Sequence, residues 1–191
     1  GAGEILAEEV DDPSLHRFTD NVIHESIRLS DLLDKLLAMA RLEKLESLPA
    51  HKSAVSISAL VQEWQHSRYA LLAEKQLDIT VNEGALQAEA DTFRLALFNL
   101  LDNALRFANE NTTITVHVDV ACLTVTNTGP VIPDYALGRI TERFYSLPAP
   151  GQERSSGLGL AMVSEIASLH GGSLNVENTH QGVQARLILP E

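Results

Sequence analysis

Apolar side chains recur near the start of the chain at Leu15, Phe18, Val22, Leu29, Leu32, Leu36 and Met39. The steps alternate between three and four residues, with one vacancy at Glu25. That rhythm predicts a single helix to about Leu45, roughly 45 Å long at about 1.5 Å per residue. Residues 1–10 read as the end of a preceding helix. Asp11, Asp12, Pro13 and Ser14 read as a turn in which Ser14 caps the long helix. So long a stripe needs a partner, in an ordinary bundle or, as the heptad rhythm favours, in a dimerising hairpin.

Leu48-Pro49 breaks the rhythm and a different pattern follows. Ile57, Leu60, Val61 and Trp64 mark an amphipathic helix over 56–75. Strands are expected at 77–82 and 86–90, then a helix at 92–107. Residues 112–129, TTITVHVDVACLTVTNTG, alternate as a β-hairpin. The stretch 128–156 is punctuated by Pro and Gly and is too long for a mere connection, which points to a functional or mobile segment. A helix at 157–170 and strands at 173–177 and 183–189 close the chain. This order predicts an α+β fold, a two-layer α/β sandwich with helices on one face of a mostly antiparallel sheet.

Composition narrows the function classes. Of 191 residues 45% are hydrophobic, enough for a real core, and the single Cys122 excludes a disulfide framework. No apolar run is long enough to span a bilayer and no signal-peptide pattern opens the chain. A formal charge of −12 argues against nucleic acid and against direct contact with an anionic membrane surface. A single phosphate-bearing ligand stays compatible with it.

Two stretches carry chemistry. Within FNLLDNALRFANE (98–110), Asn99 and Asn103 lie four residues apart and so project from one face of the expected helix, with Arg106 nearby. Asparagine is a poor helix former. Neutral oxygen donors with an incomplete shell suit Mg²⁺ that shares its coordination with phosphates. On this helix alone, asparagines bonded to a neighbouring loop explain the pattern better. Gly157-Leu158-Gly159 lies where a loop enters a helix, a place suited to close approach by an anion, although the spacing matches no standard phosphate loop. Gly171-Gly172 reads equally as a helix cap and turn.

In combination these stretches are specific. NLLDNALRF, NTGPVIP, ERFYSL, SSGLGLAMV and HGGSLNVEN, in that order, resemble the nucleotide-binding boxes of bacterial sensor histidine kinases. Within that family the likeness leans towards the carbon-source-responsive type. The likeness covers residues 53–191 as a catalytic ATP-binding domain. The run DKLLAMARLE places residues 1–48 as part of the dimerisation and phosphotransfer hairpin. The resemblance implies the histidine kinase/Hsp90-like ATPase fold preceded by a helical hairpin fragment. It also implies binding of ATP with Mg²⁺ and transfer of the γ-phosphoryl group to a histidine upstream of this chain. A cognate response regulator and homodimerisation through the hairpin in the full-length protein follow from it, as does a cytoplasmic position in an inner-membrane sensor.

Carried over by resemblance, Asn103 holds the metal, with Asn99 supporting it and Arg106 and Phe107 near the phosphates. Asn127, Gly129 and Ile132 belong to the base side, and Ser156, Gly157, Leu158, Gly159 and Leu160 to the second glycine-rich box. Phe144 and Tyr145 lie at the base of a nucleotide-ordered lid containing Pro148, Pro150 and Gly151, or fill the core.

The chain departs from the family pattern in three places. Asn127 stands where Asp usually grips adenine. Val131 and Ser155 stand where glycines are usual, and a β-branched residue resists positive φ. The phosphoacceptor motif is absent: His24-Glu25-Ser26-Ile27-Arg28-Leu29 is its nearest imitation, with Leu29 in place of Pro and on the second helix. All seven histidines are therefore expected in surface or structural roles. The chain is expected to begin just downstream of the acceptor and to be unable to autophosphorylate alone. The alternative is a degenerate nucleotide-binding or protein-interaction module without kinase activity.

Overall fold

The structure, a computed structural model, describes residues 13–45, 52–82, 84–149 and 155–190. The helix end expected at 1–10, the break at Leu48-Pro49 and the lid residues Pro150 and Gly151 lie outside the described residues. The chain divides into two compact units, Gly1–Ala40 and Arg41–Glu191.

The long helix is present as α1 (Pro13–Glu43). It begins at Pro13, where the missing N–H costs nothing, so Ser14 lies within the first turn rather than ahead of it. Thr19 and Ser26 return their hydroxyls to the carbonyls of Leu15 and Val22. Asp31–Lys35 and Glu25–Arg28 are surface ion pairs of 2.6 and 3.3 Å. Of the expected stripe, Leu15, Phe18, Val22 and Leu29 are 49–67% exposed, and only Met39 near its end is buried. The apolar stripe read from the sequence is therefore real and largely uncovered.

The second unit is the expected two-layer sandwich. Its elements are β1 (Ser53–Ser56), α2 (Ile57–Ser67), α3 (Tyr69–Lys75), β2 (Asp78–Val81), β3 (Ala85–Ala88), α4 (Ala90–Phe107), β4 (Thr113–Asp119), β5 (Cys122–Thr128), α5 (Asp134–Leu137), α6 (Gly159–Leu169), β6 (Ser173–Asn178) and β7 (Gly182–Ile188). Five strands form one sheet in the order β2-β4-β5-β7-β6. The β2–β4 pair is parallel, because the chain crosses over through α4 between them, and the other pairings are antiparallel. β1 and β3 form a separate antiparallel ribbon, pairing Val55 with Leu86.

Strict alternation along β4 sends Ile114, Val116 and Val118 inward and leaves Thr113, Thr115, His117 and Asp119 exposed. The inward residues join Leu123, Val125, Ala185 and Leu187 against Trp64, Phe93, Leu97, Leu100, Leu101 and Ile166 in one core. Each of the large side chains so buried contributes about 1.5–3 kcal/mol.

The expected helix over 56–75 is two helices. The break falls at Arg68 (φ −115°, ψ 12°), whose side chain is drawn away to Asp102 on α4. Gln76 then stops α3 in the left-handed region (φ 53°). Gln76 N–H and Leu77 N–H return to the carbonyls of Ala73 and Leu72, a Schellman arrangement built without glycine. α4 starts two residues before its expected position because Glu89, rather than a Ser, Thr, Asp or Asn, caps it. Its carboxylate accepts from the N–H groups of Asp91 and Thr92 and from the Thr92 hydroxyl.

Candidate functional site

The face of α4 that carries the asparagines meets the start of α6. A Cβ added at Gly159 would stand 3.1 Å from Asn99 Oδ1, so a side chain there would press on the Asn99 amide and shift it by a few tenths of an ångström. Asn99 is held in place by donating from Nδ2 to the Leu95 carbonyl at 2.8 Å. Asn103, one turn on, is half-buried and its side chain makes no hydrogen bond among the described residues. The loop-bonding explanation of this pair thus fails: Asn99 bonds its own helix and Asn103 is left with its amide free. The N-cap position of α6 is Leu158, which supplies no side-chain acceptor. The N–H groups of the first helical turn are therefore available to an anion.

At the far end of α4, Gly129 lies tight against the helix. A Cβ there would fall 2.1 Å from the Phe107 carbonyl oxygen and 3.2 Å from Asn127 Nδ2. Gly129 N–H donates to the Gln181 carbonyl and Asn109 N–H to the Thr128 carbonyl. Asn127 is the third inward-facing residue of β5 after Leu123 and Val125, and it is only 4% exposed. Its Nδ2 is buried without a hydrogen-bond partner among the described residues. Ile132 is tied by both backbone groups to the Asn178 amide at 2.8 Å, which anchors the strand exit to the end of β6.

Gly157 has φ +68°, and its Cβ would meet the Phe144 carbonyl carbon at 2.5 Å. Phe144 itself sits at φ 63° and donates its N–H to the Gly157 carbonyl at 3.0 Å, so the two flanks of the 145–156 segment are pinned together. Phe144 is 64% exposed and fills no core, and Tyr145 lies under the Arg139 guanidinium at 4.5 Å. Leu158 is almost fully buried, a packing position, whereas Ser156 and Leu160 are half-buried. Burial pushes Arg106 below the ordinary guanidinium range; its charge lies 5.8 Å from the Phe107 ring centroid. The residue at Val131 is not in the left-handed region, so its β-branch meets no backbone penalty.

Several supporting residues carry no sequence signature. Lys75 Nζ donates to the carbonyls of Leu105, Arg106 and Ala108 at 3.0–3.1 Å, closing the C-terminus of α4 where its dipole is negative. Asp102 faces away from Asn103's role: it accepts from Trp64 Nε1 at 2.9 Å and from the Arg68 fork at 3.0 and 3.2 Å. His170 is buried, with Nδ1 against the Ile166 carbonyl and Nε2 accepting from Glu89 N–H, which ties α6 to the cap of α4. His16, His66, His117 and His180 are exposed. Among the described residues no group of three His, Cys, Asp or Glu could hold a metal.

Residues 88–191, which contain all of these boxes, match the model of histidine kinase-, DNA gyrase B- and HSP90-like ATPases. The chain belongs to this ATPase family. Over 188 residues it is 43% identical to the sensor protein CreC of Escherichia coli strain K12, covering 95% of this chain and 39% of that protein. It is 33% identical over 178 residues to the sensor protein QseC of the same strain, covering 90% and 39% respectively. The chain thus spans about two fifths of the length of these curated relatives. The crystal structure of full-length ShkA in complex with AMPPNP shares the fold, with a TM-score of 0.72 over 92% of this chain and 38% of that one at 23% identity. The expected ATPase fold and kinship with sensor histidine kinases are therefore shown. No helix among the described residues is long and apolar enough to cross a membrane.

Proposed function

We propose that this chain is the catalytic ATP-binding part of a two-component sensor histidine kinase, acting on a histidine outside residues 1–191. The observation that carries this reading is the unengaged amide of Asn103 on the α4 face that meets the glycine-rich start of α6. A phosphate chain there would meet the first-turn N–H groups of α6, with Arg106 adding positive charge beside Phe107. Gly157 and Gly159 keep that approach free of side chains, and Asn99 is fixed by its own helix beside them. Asn127 gives the buried polar group for the base.

The residues also fit a divalent cation. Asn103 offers one neutral oxygen, and Mg²⁺ keeps several waters and takes phosphate oxygens, so it would need few ligands from the protein. When bound, the ion would neutralise charge on the transferring phosphoryl group. The chain's own contribution is positioning: α4 and α6 hold the phosphates in line while the acceptor imidazole is brought from elsewhere. Partners on this reading are a response regulator and a second copy of the protein, the latter through the apolar stripe of α1.

Asn103→Ala should weaken Mg²⁺-ATP binding by about tenfold or more, as loss of one interaction with a charged group implies. Nucleotide affinity without Mg²⁺ should change little. Calorimetry in the two conditions checks this; an equal loss in both would remove Asn103 from the metal.

A further inference from the structure

We propose that Asn127 lets the base side of the site take 6-oxopurine nucleotides as well as ATP, an inference that rests on the nucleotide-binding reading above. Asn127 ends the inward row of β5, and its predecessors in that row, Leu123 and Val125, are core side chains. An amide at such a position is expected to be paired, since buried polar groups almost always are. Here Nδ2 is buried with no partner among the described residues.

Gly129 lies close to this amide: its ideal Cβ would stand 3.2 Å from Nδ2. As a glycine it brings no side chain that could satisfy the amide, and no ion pair among the described residues involves it. A neutral amide with a glycine beside it suits a flat base. Phosphates are better served by the first turn of α6 and Arg106.

The chemistry of the amide sets which bases fit. Adenine presents an amino donor at C6 beside the acceptor N1. Hypoxanthine and guanine present an oxygen acceptor at C6 beside an N1–H donor. An amide carries one acceptor and one donor side by side, so it can complement either edge. Changing from one to the other needs only a half-turn about the last side-chain torsion, which is broad and nearly two-fold, and the two ends of the amide have almost the same shape. A carboxylate at the same place offers acceptors alone, and would face the C6 oxygen of an oxopurine with like polarity.

Displacement of a fluorescent ATP analogue from the 191-residue chain by the Mg²⁺ salts of ATP and ITP tests this directly. ITP changes the C6–N1 edge without adding the 2-amino group of guanine. The expected result is affinities within about tenfold of each other, the difference of roughly one hydrogen bond. ATP binding with ITP weaker than that overturns the inference and leaves the nucleotide reading standing. Failure of both nucleotides to displace the analogue overturns the nucleotide reading itself, and this inference with it. In Asn127→Asp, ITP should lose at least about tenfold more affinity than ATP; equal changes for the two would show that position 127 does not meet the base edge. Should the buried carboxylate prevent folding, the comparison on the unaltered chain decides alone.

Discussion

Asp102 sits in the middle of the box that carries Asn99 and Asn103, yet the structure gives it a different task, and its removal separates the two roles. Asp102→Ala takes the acceptor from Trp64 Nε1, on a residue that is 0% exposed. A buried donor left unpaired costs about 1–3 kcal/mol. The same change removes the ion pair with Arg68, but those side chains are 36% and 40% exposed, so solvent screening limits that loss to about 0.5–1 kcal/mol. The sum is about 1.5–4 kcal/mol. Asp102→Asn retains an oxygen for the indole and should lose only the charged part, about 1 kcal/mol. In a Trp64→Phe background the indole donor is already gone, so Asp102→Ala should cost about 1–3 kcal/mol less than in the wild type. Urea unfolding followed by circular dichroism measures all of these, because the only tryptophan is itself one of the residues replaced. Equal costs for Asp102→Ala and Asp102→Asn would refute the role given to the indole bond. A Mg²⁺-dependent loss of ATP affinity in Asp102→Asn would instead make Asp102 part of the metal site.

Gly129→Ala should destabilise the domain by about 1–3 kcal/mol, since the new methyl meets the Phe107 carbonyl, which is backbone and cannot rotate away. Thermal unfolding at wild-type temperature would contradict that packing. Glu89→Ala should cost about 1 kcal/mol at neutral pH through loss of the α4 cap. Burial pushes the Glu89 carboxyl up, but the hydrogen bonds from Thr92 and Asp91 and the nearby His170 outweigh it, so its pKa lies below the ordinary carboxylate value. Its contribution is therefore complete above the ordinary carboxylate range and fades as pH falls through the depressed value. The stability gap between wild type and Glu89→Ala should narrow on acidification, and a gap independent of pH would show that the charge is irrelevant to the cap.

Periodicity made much of this fold legible. The strict alternation of β4 buries one face and the 3-4 alternation of α1 gathers its apolar residues on one side of a helix, and a pattern that repeats over many residues survives local noise. The elements that escaped are those decided by contacts distant in sequence. β1 is four residues, Ser-Ala-Val-Ser, with no alternation to read; it is a strand because Val55 lies opposite Leu86. The interruption at Arg68 carries neither Gly nor Pro, and its cause is a carboxylate 34 residues away. The cap of α4 is a glutamate, outside the short polar residues that usually announce a helix start.

The site divides along the same line. Asn99, Asn103, Gly157 and Gly159 could be nominated because helical spacing and glycine are local signals. Their roles could not be ranked until α6 brought Gly159 beside Asn99, leaving Asn103 with a side-chain amide that has no hydrogen-bond partner among the described residues. Asp102 shows why a motif is a weaker guide than its neighbours suggest. In a run that pairs asparagine with aspartate, a carboxylate beside a candidate metal ligand invites the same assignment. A helix turns about 100° per residue, however, so adjacent positions cannot share a face. Asn99 and Asn103 differ by four and share a face, on which Asn99 lies against Gly159 of α6, whereas Asp102 is turned towards α2. The indole of Trp64 and the guanidinium of Arg68 both meet it there. The polar residues of this box thus serve two faces of one helix: one is the face on which the proposed ligand would bind, and the other ties α4 to α2 through Trp64 and Arg68.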